Sequence, residues 1–100
     1  MVFGLGEETL NQIKHVFSLY PDIEKVIIYG SRAKGNFKKG SDIDLTIVGD
    51  ALNQKDLNEI GLVLDDLLLP WQIDLSLYHH IDNADLKDHI ERVGQLFFKK

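Results

Sequence analysis

Apolar positions along the chain follow two rhythms, one of about 3.6 residues and one of 2, and the switches between them predict the elements. Leu10, Ile13, Val16, Phe17 and Tyr20 recur at helical spacing before Pro21-Asp22, so a first helix is expected over about residues 7 to 20. Val26-Ile27-Ile28-Tyr29 is short and largely β-branched and ends on Gly30, which reads as a buried strand. The stretch from Ser31 to Ser41 is rich in Gly, Lys and Ser and reads as a turn of helix followed by a loop. From Asp42 to Val48 the chain alternates, with Ile43, Leu45 and Ile47 on one face and Asp42, Asp44 and Thr46 on the other.

Leu57, Ile60, Leu64, Leu67 and Leu68 mark a helix over about 53 to 69, closed by Pro70. Trp71, Ile73, Leu75 and Leu77 then alternate with Gln72, Asp74, Ser76 and Tyr78, a third strand whose acid again opposes the apolar face. A last helix is expected over about 84 to 98, with Asn83 as its N-cap, Leu86, Ile90, Val93, Leu96 and Phe97 as its buried stripe, and Lys99 and Lys100 at its end. The helix between the second and third strands implies a right-handed parallel crossover. Juxtaposing Gly30 and Asp42 makes the first two strands antiparallel. The expected fold is therefore α/β in the α+β sense, a mixed sheet in two layers with helices on one face and the acids on the other.

The chain has 100 residues, of which 44% are hydrophobic and 27% charged, with two prolines. That length and balance lead to an expectation of one globular domain over residues 1–100. With no cysteine, disulfides and thiolate sites are excluded, and a metal would have to be held by oxygen or imidazole. The N-terminus carries neither the basic region nor the apolar run of a secretory signal, so a cytoplasmic protein without a membrane span is expected. A net charge of −5 argues against a broad nucleic-acid surface. Arg32, Lys34, Lys38 and Lys39 nonetheless concentrate positive charge in one short stretch, suited to a small phosphorylated ligand.

The chemistry is carried by Gly30-Ser31, then ten residues, then Asp42-Ile43-Asp44. Two aspartates at i and i+2 of a strand project from one face, where they repel by about 4 kcal/mol at 4 Å and an effective dielectric near 20. Mg²⁺ relieves that repulsion, since it takes a few carboxylate oxygens and leaves its other positions to water and phosphates. Asp74 on a neighbouring strand adds a third carboxylate, which suits a two-metal site. Gly30 permits close backbone approach, and the hydroxyl and N–H of Ser31 can hold phosphate.

In these residues the chain resembles the DNA polymerase β-like nucleotidyltransferases, and most of all their small branch, the minimal nucleotidyltransferases. The resemblance runs from the first helix through the third strand. It implies a nucleotidyltransferase fold in which Gly30 and Ser31, with Arg32 and Lys34, bind a nucleoside triphosphate such as ATP, and Asp42, Asp44 and Asp74 hold two Mg²⁺ ions, with Mn²⁺ as the alternative. Asp74 would also help to activate an acceptor hydroxyl. Many relatives have arginine where Lys34 stands, which keeps the charge and loses the bidentate fork. Small relatives pair with a helical HEPN protein, and in toxin and antitoxin pairs they modify that partner with adenylate. The resemblance thus implies AMP transfer in a complex whose partner supplies the acceptor or the acceptor site, a homo- or hetero-oligomer. Two other readings are an antitoxin module that masks its partner without catalysis, and an enzyme acting on a small hydroxylated molecule such as an aminoglycoside.

Other signals are weaker. An EF-hand fails because Ile47 and Asn53 stand where Gly and Glu are needed, and a P-loop fails because Asn36-Phe37 replaces its Lys and Ser/Thr. His79 and His80 read as loop histidines, Asp65 and Asp66 as helix surface, and Trp71 as a core residue. Phe97 and Phe98 cannot both face one core from a helix, so one of them is expected to meet a partner or to lie on a fraying end.

Overall fold

The computed structural model describes residues 1–100. Helix α1 (Glu7–Ser18) leads to strand β1 (Lys25–Tyr29), the short helix α2 (Gly30–Lys34), strand β2 (Ile43–Val48), helix α3 (Gln54–Asp65), strand β3 (Ile73–Leu77), helix α4 (Ala84–Val93) and strand β4 (Gln95–Lys99). The sheet order is β3-β2-β1-β4. Strand β1 pairs antiparallel with both β2 and β4, while β2 and β3 are parallel and are joined through α3. The mixed sheet and both of the expected pairings are present. No helix is long and apolar enough to cross a membrane.

The period-2 rhythm accounts for the core. Val26 and Ile28 of β1 and Ile43, Leu45 and Ile47 of β2 are fully buried on one face, against Leu10, Ile13, Val16 and Phe17 of α1 and Ile60 and Leu64 of α3. Acids at Glu7 and Glu8 in the first turn of α1 suit the helix dipole. Helix α3 begins with a reciprocal capping box, in which Asn53 Oδ1 accepts from the Asp56 N–H at 3.0 Å and Asp56 Oδ2 accepts from the Asn53 N–H at 3.0 Å. It ends at Asp65, short of the expected 69, because the chain turns through Leu68 at φ 54 before it reaches Pro70.

The expected last helix over 84 to 98 is corrected. Helix α4 stops at Val93, Gly94 takes an extended conformation, and Gln95–Lys99 become the fourth strand. The driving cause is tertiary, since β1 would otherwise expose a whole row of backbone donors and acceptors in the middle of the fold. Within this strand Val26 pairs with Phe98 and Ile27 with Leu96, so Phe97 is the extra residue of a β-bulge. The bulge turns both aromatics toward the core. Phe97 is 3% exposed, and the rings of Phe97 and Phe98 lie 6.3 Å and 6.0 Å from that of Phe17. Neither ring is left over for a partner or a frayed end, and it is Leu96, expected in the buried stripe, that is exposed.

Helices α1 and α3 cover the apolar face as expected. Helix α4 leans on the other face at β1, where a Cβ at Gly94 would overlap the Ile27 methyl group. That contact brings α4 beside the acids.

Candidate active site

The site is assembled where β1 ends and β2 and β3 begin. Tyr29 pairs with Asp44 across β1 and β2, and Asp44 pairs with Asp74 across β2 and β3, so the two acids are direct neighbours on one face. Below them Thr46 pairs with Ser76, and the Ser76 hydroxyl donates to Thr46 Oγ1 at 3.0 Å. Thr46 is fully buried, Asp44 half-buried and Asp74 exposed. Asp42 is exposed immediately before β2.

Gly30 leaves β1 with φ +73, and a side chain there would run into the Asp44 carboxylate. Only glycine satisfies both the left-handed backbone and the close approach. The Gly30-Ser31 turn therefore sits directly against the acid pair, as the motif spacing suggested, with Ser31 half-buried at the start of α2.

The electrostatics are those of an uncompensated anionic cluster. Burial raises the pKa of Asp44, and the charges of Asp74 and Asp42 raise it further, with His89 acting in the opposite sense. Burial also pushes the Tyr29 phenol up, reinforced by Asp74 and Asp44 and opposed by a hydrogen bond with Ser76. The only salt bridge in the chain, Arg92–Asp88 at 2.8 Å, lies on the outer surface of α4, so none of the three acids is held in an ion pair. An all-oxygen donor set with excess negative charge fits a hard divalent cation. As placed, no three acids or histidines converge on one point; Asp42 and Asp74, both exposed, have the rotamer freedom to close around an ion with Asp44.

Arg32 is the residue that the structure removes from the expected nucleotide site. It is 2% exposed, and burial lowers its pKa. Its Nε and Nη2 donate to the Ser41 carbonyl at 3.1 and 2.8 Å and its Nη1 to the Phe3 carbonyl at 2.9 Å. The guanidinium also lies 5.1 Å from the Phe37 ring centre and 5.5 Å from that of Trp71. Trp71 Nε1 donates to the Lys39 carbonyl at 3.1 Å. Arg32 and Trp71 thus form a post around which the 35–41 loop is wound, and Trp71 packs on the core as expected. The positive charge left facing solvent is that of Lys34, Lys38 and Lys39.

His79 and His80 lie on a 3₁₀ turn at the far end of β3 from Asp74, where His79 Nε2 meets the Leu52 carbonyl at 3.1 Å. The histidine at the site is His89 of α4, which sequence reasoning missed. Its Nε2 accepts the Gly30 N–H at 3.2 Å, and its ring stands edge-on to Tyr29 at 6.1 Å. Nothing in its spacing distinguishes it from the polar face of an ordinary helix. A cleft of about 380 Å³, lined by Lys25, Ile27, Val48, Tyr78 and Ile90 among others, holds none of the three acids. They occupy an open ledge, as a site completed by its substrate would.

Comparison with known proteins agrees with this fold. The family model "Polymerase beta, Nucleotidyltransferase" matches residues 11–100. Among curated proteins none matches at a significant level. Among solved structures, the chain is similar in fold to one from a toxin-antitoxin crystallised with AMP-PNP, at 20% identity over 91% of this chain and 73% of that one, with a TM-score of 0.74. It is also similar to a chain from the tri-AMPylated Shewanella oneidensis HEPN toxin in complex with MNT antitoxin, at 18% identity over 94% and 72% of the two chains, TM-score 0.69. A chain of the toxin-antitoxin MntA-HepT gives 18% identity over 95% and 74%, TM-score 0.69. The family match over residues 11–100 takes in both the Gly30-Ser31 turn and the three aspartates, and the chain belongs to the polymerase beta nucleotidyltransferase family.

Proposed function

We propose that residues 1–100 form one Mg²⁺-dependent nucleotidyltransferase domain that transfers AMP from ATP to a hydroxyl acceptor presented by a helical HEPN-type partner. The observation that carries this reading is the pairing of Asp44 with Asp74, with Asp42 beside them, unneutralised and directly against Gly30. The choice of AMP and of the partner draws on the neighbours in fold, one with AMP-PNP and one with an AMPylated HEPN toxin.

Asp42, Asp44 and Asp74 would hold two Mg²⁺ ions, which supply charge neutralisation of the triphosphate and acidify the acceptor hydroxyl. Gly30 admits the phosphates by having no side chain, Ser31 offers its hydroxyl and its N–H, and the exposed Lys34 supplies positive charge. The acceptor oxygen attacks the α-phosphorus in line, the α–β bridging P–O bond breaks, and pyrophosphate leaves. Asp74 is the acid an acceptor meets first, because β3 is an edge strand. Its carboxylate receives the acceptor's proton. Use of ATP as the donor supports a cytoplasmic location.

The test is calorimetry of ATP binding with and without chelator, beside incorporation of labelled nucleotide into the co-expressed partner. Asp44→Asn should lose metal-dependent binding and transfer together. Asp74→Asn should bind within a few fold of wild type and lose transfer by roughly 10² or more. Equal ATP affinity with and without chelator would remove the metal, and transfer unchanged in both variants would remove the enzyme, leaving a module that acts on its partner by contact alone.

A further inference from the structure

Helix α2 spans only Gly30–Lys34, far below the length at which a helix holds itself in water. Yet it carries Gly30 and Ser31, whose placement against Asp44 the proposed reaction needs. Both of its ends are tied by side chains from the last segment of the chain. At the first residue, the Gly30 N–H donates to His89 Nε2 of α4 at 3.2 Å. Near the other end, Gln95 Nε2 of β4 donates to the Ala33 carbonyl at 2.7 Å. These partners lie 59 and 62 residues away in sequence, so neither bond follows from local helix formation.

The roles are chemically complementary. An N–H in the first turn of a helix has no intrahelical acceptor, and a carbonyl in the last turn has no intrahelical donor; His89 supplies the first and Gln95 the second. Accepting at Nε2 places the ring proton of His89 on Nδ1. Tyr29, edge-on to the imidazole at 6.1 Å, fixes the ring from the side of β1. Because the Gly30 N–H is directed into His89, the donors left for a ligand at this turn are those of Ser31.

We infer that the α4–β4 unit is a clamp that sets the Gly30-Ser31 turn for the triphosphate, with His89 and Gln95 as positioning residues. This rests on the nucleotidyltransferase reading and adds to it two residues outside the aspartate and Gly-Ser motifs. Since the turn would touch the phosphates in ground state and transition state alike, the clamp acts on nucleotide affinity more than on the chemical step.

The experiment uses the full chain as His89→Leu, His89→Gln and Gln95→Leu, with two readouts. The first is hydrogen exchange at the Gly30 amide, followed by NMR in nucleotide-free protein. His89→Leu should speed this exchange by roughly threefold to tenfold, the scale of one net hydrogen bond, while His89→Gln, whose Oε1 can accept in place of Nε2, should stay within twofold of wild type, on the order of 0.4 kcal/mol. The second is the steady-state transfer assay with ATP. His89→Leu and Gln95→Leu should each raise KM roughly threefold to tenfold with kcat nearly unchanged, and His89→Gln should restore KM. A Gly30 amide indifferent to His89→Leu, or a fall in kcat at constant KM, would overturn the clamp. If wild type itself transfers nothing, it is the functional reading that has failed, and Gly30 exchange alone decides whether His89 holds the turn.

Discussion

Replacing Asp44 by asparagine should make the metal-free protein more stable. Asp44 faces Asp74 in register on the neighbouring strand, and adjacent strands lie about 4.8 Å apart. Two full charges at that separation repel by about 3.5 kcal/mol at an effective dielectric near 20. Asp74 is exposed, so water and salt reduce this to about 1 kcal/mol, to which the partial burial of Asp44 adds a few tenths. For a domain of this size that corresponds to a rise in Tm of roughly 5–10 °C. The pH dependence has a definite sign. The pKa of Asp44 is raised on folding from its ordinary value of 3.8, first by burial and then by Asp74 and Asp42. Between that value and the raised one the folded protein keeps a proton that the unfolded chain releases, so wild-type stability falls as pH rises through the window. The advantage of Asp44→Asn should therefore be absent below the window, open across it and be complete above it. Thermal unfolding of both proteins in chelator from acid to neutral pH measures this. Adding Mg²⁺ and ATP should reverse the order, since only wild type gains from them. An asparagine variant melting at or below wild type in chelator at pH 7 would refute the uncompensated-charge account.

Gly30→Ala should cost at least about 1–3 kcal/mol through its left-handed backbone alone, and the overlap with Asp44 should abolish transfer; denaturant melts and the labelled-nucleotide assay report the two losses. Arg32→Lys should lower stability by about 2–4 kcal/mol, because an ammonium cannot serve the Phe3 and Ser41 carbonyls together and leaves buried acceptors unpaired. Amide exchange in the 35–41 loop should speed up in the same variant, whereas an Arg32 that served only nucleotide would leave the nucleotide-free loop untouched. Leu68→Gly should stabilise by about 0.5–1 kcal/mol, since Leu68 is 88% exposed at φ 54 and has little packing to lose; a fall in the urea midpoint would contradict this.

Much of the site was legible because strand alternation sorts side chains without tertiary knowledge. Ile43, Leu45 and Ile47 against Asp42 and Asp44, and Ile73 and Leu75 against Asp74, were enough to put three acids on one face. The parallel direction of β2 and β3 follows from a helix-containing crossover, whereas the register that pairs Asp44 with Asp74 is seen only in the structure. What could not be read came from long-range contacts. Leu86, Ile90, Val93 and Phe97 keep a helical rhythm straight through Gly94, and only the demand of β1 for a second partner turns the chain there into a strand. Arg32 lies in a basic stretch beside Ser31, and sequence alone cannot distinguish a phosphate ligand from a guanidinium bound to carbonyls contributed by Phe3 and Ser41. His89 reaches Gly30 across 59 residues, and a helix pattern carries no mark of what its half-buried histidine will face.

The bulge at Phe97 has a bearing on solubility as well as on the core. Strand β4 ends the sheet, and an unpaired strand edge invites addition of a strand from another molecule. An extra residue in mid-strand breaks the repeat of outward-facing donors and acceptors, and Lys99 and Lys100 add charge where the strand leaves the fold. The opposite edge, β3, bears Asp74 at its second residue. An intruding strand would have to flatten a bulge on one side or set its backbone beside a carboxylate on the other, so the residues that close the core and hold the acids also keep the sheet from growing.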